Sequence, residues 1–514
     1  MSVVSVGRAE GGIAIVTIDN PPVNALGIAV RRGLDAAFRE LDAATDVRAI
    51  VLACAGRTFC AGADITEFGK PLERPGLDDV IAYVENGRWP VIAAIHGTAL
   101  GGGYEFALTC HYRIAVPSAK VGLPEVSLGL LPAGGGTQRL PHIVGARVAL
   151  ELITSGRHVP AREALALGMI DALAEEGRLL EDAIAFARRL IAAGQPPVRL
   201  RDRPVPPDRN GGADPFAAFL QQHAWRLRGE LAPFNIVKAV QAAVTTSDFD
   251  AGLRIERELM APLWTSPQAA ARRHFFFAER EAAKLPGMPG GVESAAVATL
   301  GIVGGGPAAE RLAEAVRRAR LEVIVAADEM AAVACADVIV AVPDAAGRTH
   351  ATLPTIHLPE QGGRLMLIAR SPGTGDAQAA ALMKLARALA RVPVLCAATP
   401  ELPTLRLQRA LRDSAKAQLA AGRTQAEIDR ACVLYGFPAG PLGTPESAFR
   451  TPGPDIPAPD SAFLDALLAP VAAEGQRLLD EQVLMRSSDV DVICLLGLGW
   501  PLHSGGPMFR AQHR

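Results

Sequence analysis

Two glutamates, Glu105 and Glu125, lie in glycine-bearing segments 20 residues apart. Residues 100–105 read LGGGYE, and residues 122–129 read GLPEVSLG. Two carboxyl groups in a water-poor pocket can act as a base and an acid if their surroundings separate their pKa values. Glycines beside them leave backbone N–H groups open to an approaching oxygen atom. This combination indicates proton transfer on a substrate that carries a carbonyl group.

Hydration of a conjugated enoyl thioester needs this set of groups. A carboxylate orients and deprotonates water, a carboxylic acid delivers a proton to C2, and N–H donors hold the thioester oxygen as it becomes enolate-like. A structural interpretation is also open and is the stronger one on spacing alone. The glycines then serve only tight packing, and each glutamate begins a helix and faces solvent.

The elements around the two glutamates alternate between strand and helix patterns. Apolar alternation or short apolar runs predict strands, and the spacing of the apolar residues predicts a helix over 30–41. The predicted strands cover residues 12–19, 48–54, 91–95 and 111–116. This order predicts an α/β fold with parallel crossover connections.

Four sequence blocks, in order, link this region to a known family. They are PPVNAL at 21–26, TFCAGADI at 58–65, IHGTALGGGYEFAL at 95–108 and VGLPEVSLGLLPAGGGTQRLP at 121–141. With these blocks, residues 12–175 resemble the crotonase (enoyl-CoA hydratase/isomerase) superfamily. The resemblance implies a spiral of ββα turns.

The resemblance also implies roles for individual residues. Glu105 and Glu125 become the catalytic pair, and the backbone N–H groups of Ala63 and Gly102 become the oxyanion hole. The implied CoA-binding positions are Ala61, Ala63 and Ile65. Many superfamily members with other chemistries lack one of the two glutamates, so the pair favours a hydratase.

A second glycine motif lies in the C-terminal half. Gly304, Gly306 and Ala309 follow a predicted strand and enter a helix, as a dinucleotide-binding turn requires. HFFFAER at 274–280 and DVDVICLLGLGWPLHSGGPMF at 489–509 extend the likeness. The whole chain resembles the peroxisomal-type multifunctional enzymes, which fuse a hydratase to a 3-hydroxyacyl-CoA dehydrogenase.

The dehydrogenase half departs from that pattern at the positions that carry its chemistry. Ile368 stands at the position of the catalytic histidine, Gln408 at that of the asparagine, and Ala327 at that of the ribose-binding acid, with Asp328 one residue late. The strand that carries the histidine's glutamate partner is missing. We therefore predict an inactive dehydrogenase half, whose turn binds NAD weakly or not at all.

Length and pattern predict several domains with α/β folds and a helical end. We divide the 514 residues into a crotonase domain, a linker with a helical region, a degenerate Rossmann-like domain and a C-terminal dehydrogenase-like helical domain. Their predicted ranges are 1–190, 191–290, 296–400 and 401–514.

Composition excludes several other classes of protein. The net charge of −2 gives no basic field for nucleic acid, and no apolar stretch is long enough to predict membrane insertion. The seven cysteines are scattered without CxxC spacing, which predicts reduced thiols, no metal site and a cytoplasmic location.

The leading prediction is hydration of a 2-enoyl-CoA to a 3-hydroxyacyl-CoA, with no cofactor required and an acyl-CoA as the small-molecule partner. Three alternatives stay open: a Δ3-to-Δ2 enoyl-CoA isomerase, a bifunctional hydratase and NAD-dependent dehydrogenase, and a non-catalytic acyl-CoA-binding scaffold. Acyl chain length is left open, as is the choice between a monomer and a dimer.

Overall fold

A computed structural model describes residues 2–513 except 68–69, 72, 195, 208–213, 287–295, 327–335, 344–346, 360–362, 452 and 454. The chain forms two compact units. The first comprises Met1–Ala224 and Glu230–Ala269, and the second comprises Trp225–Gly229 and Ala270–Arg514. The predicted α/β class with a helical C-terminal region is confirmed. The four predicted domain ranges stay a prediction.

The first unit contains two sheets. Its strands are β1 (Val4–Ala9), β2 (Ile13–Ile18), β3 (Ala49–Cys54), β4 (Val91–Ile95), β5 (Thr98–Leu100), β6 (Tyr112–Ala115), β7 (Lys120–Gly122), β8 (Val159–Pro160) and β9 (Ala172–Leu173). One sheet has the order β1-β2-β3-β4-β6-β9 and the other β5-β7-β8. Only the pairs β1/β2 and β7/β8 are antiparallel among these strands. The predicted parallel crossovers account for the rest.

The helices of the first unit are α1 (Ile28–Ala43), α2 (Leu77–Glu85), α3 (Gly102–Thr109), α4 (Gly136–Arg139), α5 (Pro141–Val144), α6 (Ala146–Ser155), α7 (Ala161–Ala166), α8 (Leu179–Ala193), α9 (Pro215–His223), α10 (Ala232–Thr245) and α11 (Phe249–Trp264). The next helix, α12 (Pro267–Ala282), belongs to the second unit from Ala270 onward. Short 3₁₀ turns occupy Ile65–Glu67, Glu125–Leu128 and Leu200–Asp202.

Residues 249–282 form two consecutive helices, α11 and α12. Helix α11 begins at the Asp248 cap, whose carboxylate accepts the N–H groups of Asp250 and Ala251. It ends before Pro267, because proline has no N–H and disfavours helical backbone in the preceding residue.

The second unit contains one described sheet with the order β11-β10-β12-β13-β14-β15. Its strands are β10 (Thr299–Val303), β11 (Glu322–Ala326), β12 (Val338–Ala341), β13 (Thr355–His357), β14 (Leu365–Arg370) and β15 (Val392–Ala397). All these neighbours are parallel except β13 and β14. Apolar side chains of β10, β12 and β14 share one buried core with the helices beside them.

The helices of the second unit are α13 (Gly306–Arg318), α14 (Asp376–Ala388), α15 (Pro403–Ala420), α16 (Gln425–Tyr435), α17 (Ser461–Asp480), α18 (Ser487–Gly497) and α19 (Pro507–Gln512), with 3₁₀ turns at Glu446–Ala448 and Leu502–Ser504. Gly422, with a φ of +95°, separates α15 from α16. No helix within the described ranges is both long and apolar enough to span a bilayer.

Candidate active site

Glu105 lies on α3, a helix whose residues are all buried. Strand β5 leads into the helix through Gly101, whose φ of +53° is open to glycine and strained for other residues. Because the helix has no solvent-facing side, its first-turn glutamate points into the unit, and Glu105 is only 3% exposed. The solvent-facing alternative for this residue is therefore excluded.

A turn of three glycines, Gly134 to Gly136, holds the Glu105 carboxylate. The Gly134 and Gly136 N–H groups both donate to Glu105 Oε1, each at 2.8 Å. A Cβ atom on Gly136 would lie 2.7 Å from Glu105 Oε1, so a side chain there would displace the carboxylate. Two N–H donors on one oxygen stabilise the ionised form of Glu105.

Glu125 begins the 3₁₀ turn Glu125–Leu128 and lies against the start of α3. A Cβ atom on Gly101 would be 3.1 Å from Glu125 Oε1, so the glycine makes room for this carboxyl group. Both carboxyl oxygens of Glu125 are buried, and neither has a hydrogen-bond partner among the described residues. A buried carboxyl group without donors favours its protonated form.

The surroundings of the two glutamates therefore favour opposite protonation states. Burial raises the pKa of Glu105, while the N–H groups of Gly136 and Gly134 and the charge of Arg139 act in the opposite direction. Burial and then the negative charge of Glu105 raise the pKa of Glu125 well above its usual range. Glu105 is thus the group that ionises first, which suits a base beside an acid.

The predicted oxyanion donors lie side by side. A Cβ atom on Gly102 would be 3.3 Å from the Ala63 backbone nitrogen, so the backbone of Ala63 lies next to that of Gly102. Neither N–H donates to an acceptor within the described part of the chain. Gly102 is the first residue of α3, so its N–H is one of the groups that a helix leaves free.

The predicted CoA-binding residues lie on the connection that follows β3. Ala61 and Ala63 are exposed, and Ile65 is half-buried at the start of a 3₁₀ turn. Asp64 accepts the N–H and the hydroxyl of Thr66, so this carboxylate caps the turn. The structure places this segment, through Ala63, beside Gly102 at the start of α3.

Sequence reasoning missed a third buried carboxyl group, Glu256 on α11. It is fully buried and accepts the Gly135 N–H at 2.8 Å and the Thr137 hydroxyl. A signal was present: Gly252, Glu256 and Leu263 are all buried, at positions i, i+4 and i+11 of α11. A glutamate on the buried face of an amphipathic helix indicates a partner that the sequence does not name.

In the second unit, the predicted dinucleotide turn has the expected backbone. Gly304 follows β10 with a φ of +116°, Gly306 begins α13 with a φ of +74°, and Ala309 is buried on that helix. Ala327 and Asp328, the positions expected for the ribose-binding acid, lie outside the described residues.

The positions expected for dehydrogenase chemistry carry no base in the described structure. Ile368 is fully buried within β14, opposite Ile356 and Leu395 on the neighbouring strands. Gln408 is half-buried on α15. Burial lowers the pKa of His357 to about 4, with a further contribution from Arg311, so this histidine is neutral near pH 7.

Comparison with known proteins agrees with this geometry. Residues 8–201 match the family model described as "Enoyl-CoA hydratase/isomerase". A relative from Danio rerio, named "Peroxisomal bifunctional enzyme", is 46% identical over 307 residues, which are 57% of this chain and 42% of the relative.

A second relative comes from Oryza sativa subsp. japonica and is named "Peroxisomal fatty acid beta-oxidation multifunctional protein". It is 35% identical over 312 residues, which are 57% of this chain and 43% of the relative. Among solved structures, an enoyl-CoA hydratase from Bacillus anthracis is 29% identical, with 54% of this chain and 96% of that chain covered and a TM-score of 0.36.

The match to these multifunctional relatives is partial, because the chain spans less than half of their length.

The names of these relatives also correct one prediction. The cytoplasmic location expected from the cysteines is wrong on this comparison, since the relatives carry peroxisomal or glyoxysomal names. Scattered reduced thiols do not distinguish one reducing compartment from another. The family model described as enoyl-CoA hydratase/isomerase matches residues 8–201, and that range contains the four sequence blocks, both glutamates and the predicted oxyanion donors.

Proposed function

We propose that the first unit hydrates a 2-enoyl-CoA to a 3-hydroxyacyl-CoA. The observation that carries this proposal is the unequal treatment of two buried carboxyl groups. Glu105 receives two backbone N–H donors, whereas the oxygens of Glu125 have no partner in the described structure. A base and an acid are thereby ready at one site before substrate arrives.

In the proposed reaction, the Glu105 carboxylate takes a proton from water as the water oxygen bonds to C3 of the enoyl group. Electrons of the double bond move toward the thioester, and its oxygen gains negative charge between the N–H groups of Ala63 and Gly102. Glu125 donates its proton to C2. The product keeps the thioester. One proton of the water stays on the new C3 hydroxyl, the other passes to Glu105, and Glu125 supplies the proton on C2. Exchange of one proton from Glu105 to Glu125 through water then restores both glutamates.

The setting of the reaction follows the names of the relatives. We place this chemistry in peroxisomal fatty acid β-oxidation, as the Oryza sativa relative's name states for that protein. We further propose that the second unit makes no NADH, because Ile368 and Gln408 stand at the positions where the family resemblance places a catalytic histidine and an asparagine.

The test compares Glu105→Gln and Glu125→Gln with the unaltered chain in hydration of crotonyl-CoA. Each variant should lose about 10²–10⁴ in kcat, because each removes one partner in proton transfer while keeping side-chain shape. Glu151→Gln, at an exposed position of α6, is the matched control and should keep full activity. Full hydratase activity in both site variants would refute the assignment.

Assays with a 3-enoyl-CoA separate the isomerase alternative. Isomerisation needs only one base that moves a proton between two carbons, so one glutamate is sufficient for it. We expect hydration to depend on both glutamates. A chain that isomerises well and hydrates poorly would instead support the isomerase.

A further inference from the structure

The triglycine turn at 134–136 is held by two glutamates from different elements. Its outer N–H groups, on Gly134 and Gly136, donate to Glu105 of α3. The N–H between them, on Gly135, donates to Glu256 of α11. Successive N–H groups of the turn thus donate to Glu105, Glu256 and Glu105 in order. A movement that frees Gly135 therefore also moves the two donors of Glu105.

Further bonds fix Glu256 in this position. The Thr137 hydroxyl donates to Glu256 Oε2, and Gln138 Nε2 donates to Thr137 Oγ at 2.8 Å. Both oxygens of Glu256 are therefore occupied, and the residue is 0% exposed. Its side chain serves the turn and presents no free oxygen to a substrate.

One positively charged side chain, Arg139, contacts the turn. Arg139 forms a buried ion pair with Glu85 at 2.7 Å and donates to the Gly134 carbonyl at 3.0 Å. Burial and the charge of Glu105 raise the pKa of Glu256, and Arg139 opposes this effect. Keeping such a carboxyl group buried costs stability, so a packing role alone does not account for a glutamate at this position.

We propose that Glu256 is a positioning residue of the hydratase site, which holds Gly135 and Thr137 so that the Gly134 and Gly136 N–H groups stay aimed at Glu105. This inference rests on the proposed function. It assigns a role in the reaction to a helix that lies outside the residues matched by the family model, which end at 201.

The first experiment measures kcat and KM of Glu256→Gln for crotonyl-CoA. The rates are divided by the concentration of CoA-binding sites, so that unfolded protein does not lower kcat. The amide can accept from Gly135 but cannot accept from Thr137 at its nitrogen, so the turn loosens. We expect kcat to fall about 10- to 100-fold, as misplacement of a catalytic group does, with KM changed less than about twofold. Glu258→Gln, at an exposed position of α11, is the matched control and should match the unaltered chain.

A double-mutant cycle separates positioning from general stability. If Glu256 acts through Glu105, then Glu256→Gln should change the residual rate of a Glu105→Gln chain by less than about threefold. Equal losses in both backgrounds would mean that the residue supports the fold alone, and the proposal would be overturned. An unchanged kcat in Glu256→Gln would overturn it as well.

Thr137→Val keeps the test decisive if Glu256→Gln does not fold. It removes one donor to Glu256 and keeps the volume of a buried residue, and we expect about a 3- to 10-fold loss of kcat that disappears in the Glu105→Gln background. A kcat equal to that of the unaltered chain would count against the proposal. If Glu105→Gln alone kept full activity, the proposed function itself would have failed, which is a separate and recognisable result.

Discussion

The same three letters, GGG, join a strand to a helix in each unit, with different results. Residues 101–103 connect β5 to α3, and residues 304–306 connect β10 to α13. A Cβ atom on Gly103 would lie 2.5 Å from the Cys60 carbonyl oxygen, whereas a Cβ atom on Gly305 or Gly306 would meet nothing within 4 Å. In the first unit the glycines permit close packing around a site, and in the second they form an open turn.

The two units also differ in the side chains that stand at the positions expected for chemistry. Beside the first turn lie Glu105, Glu125 and two free N–H groups, on Ala63 and Gly102. In the second unit, Ile368 of β14 is buried in the apolar core that also contains side chains of β10. A glycine turn therefore marks where a ligand can approach, and the side chains around it decide whether chemistry follows.

The largest expected contrast is between the two activities. Given a 3-hydroxyacyl-CoA and NAD, the chain should form no NADH above background, because loss of the base alone costs about 10²–10⁴ in rate. Absorbance of NADH measures this directly, with crotonyl-CoA hydration as the positive control on the same sample.

One result would break the contrast. Steady NADH formation that is abolished by Gly306→Asp and unaffected by Glu105→Gln would make the second unit an active dehydrogenase. Weak NAD binding by calorimetry is compatible with our view, since N–H groups at the start of α13 attract phosphate whatever the side chains do.

A pair of glycine substitutions tests the difference between the turns themselves. Gly102→Val should lower kcat for hydration by about 10²–10³, because the side chain covers the oxyanion donors at Ala63 and residue 102. Gly305→Ala is the matched change in the second unit. It should leave hydration and thermal stability unchanged, since Gly305 has extended backbone and open space beside it. Near-normal hydration by a folded Gly102→Val chain would contradict the proposed oxyanion site.

The smallest expected effect concerns stability at different pH values. Because the pKa of Glu125 is raised in the folded state, this group stabilises the fold fully below its unfolded pKa of about 4.3, and the contribution is lost as pH rises through the folded value. Glu125→Gln removes this loss. Its free energy of unfolding relative to the unaltered chain should therefore rise from about pH 5 to about pH 8, by roughly 1.4 kcal/mol for each unit of raised pKa, and its relative Tm should rise with it.

Glu151→Gln, which removes an exposed carboxyl group, is the control. The difference in Tm between this variant and the unaltered chain should stay constant over the same pH range. A Glu125→Gln chain whose relative Tm falls as pH rises would show that Glu125 is ionised in the fold. That outcome would reverse the assignment of acid and base.

Several parts of the fold were predictable from the sequence for clear physical reasons. Strands β2, β3, β4 and β6 follow apolar patterns that only a buried sheet explains, and their predicted bounds differ little from the observed ones. The helix breaks before Pro267 and at Gly422 also have a local cause, because proline and glycine mark them.

The candidate site shows the same division between local pattern and packing. Glu105 and Glu125 were found because each stands beside glycines in a recognisable block. Glu256 was not found, because it contacts Gly135 from 121 positions away along the chain. No local pattern reports a contact between residues so far apart.

The sequence by itself determined the resemblance to the family, the two candidate glutamates and the isoleucine at position 368, because these depend on which residues stand in which blocks. Only the tertiary structure decided how the two glutamates differ. Glu105 and Glu125 are the same amino acid, and their surroundings diverge because the Gly134–Gly136 turn brings N–H donors to one and leaves the other without them. A carboxyl group's pKa depends on burial, nearby charge and donors, and all three arise from long-range packing.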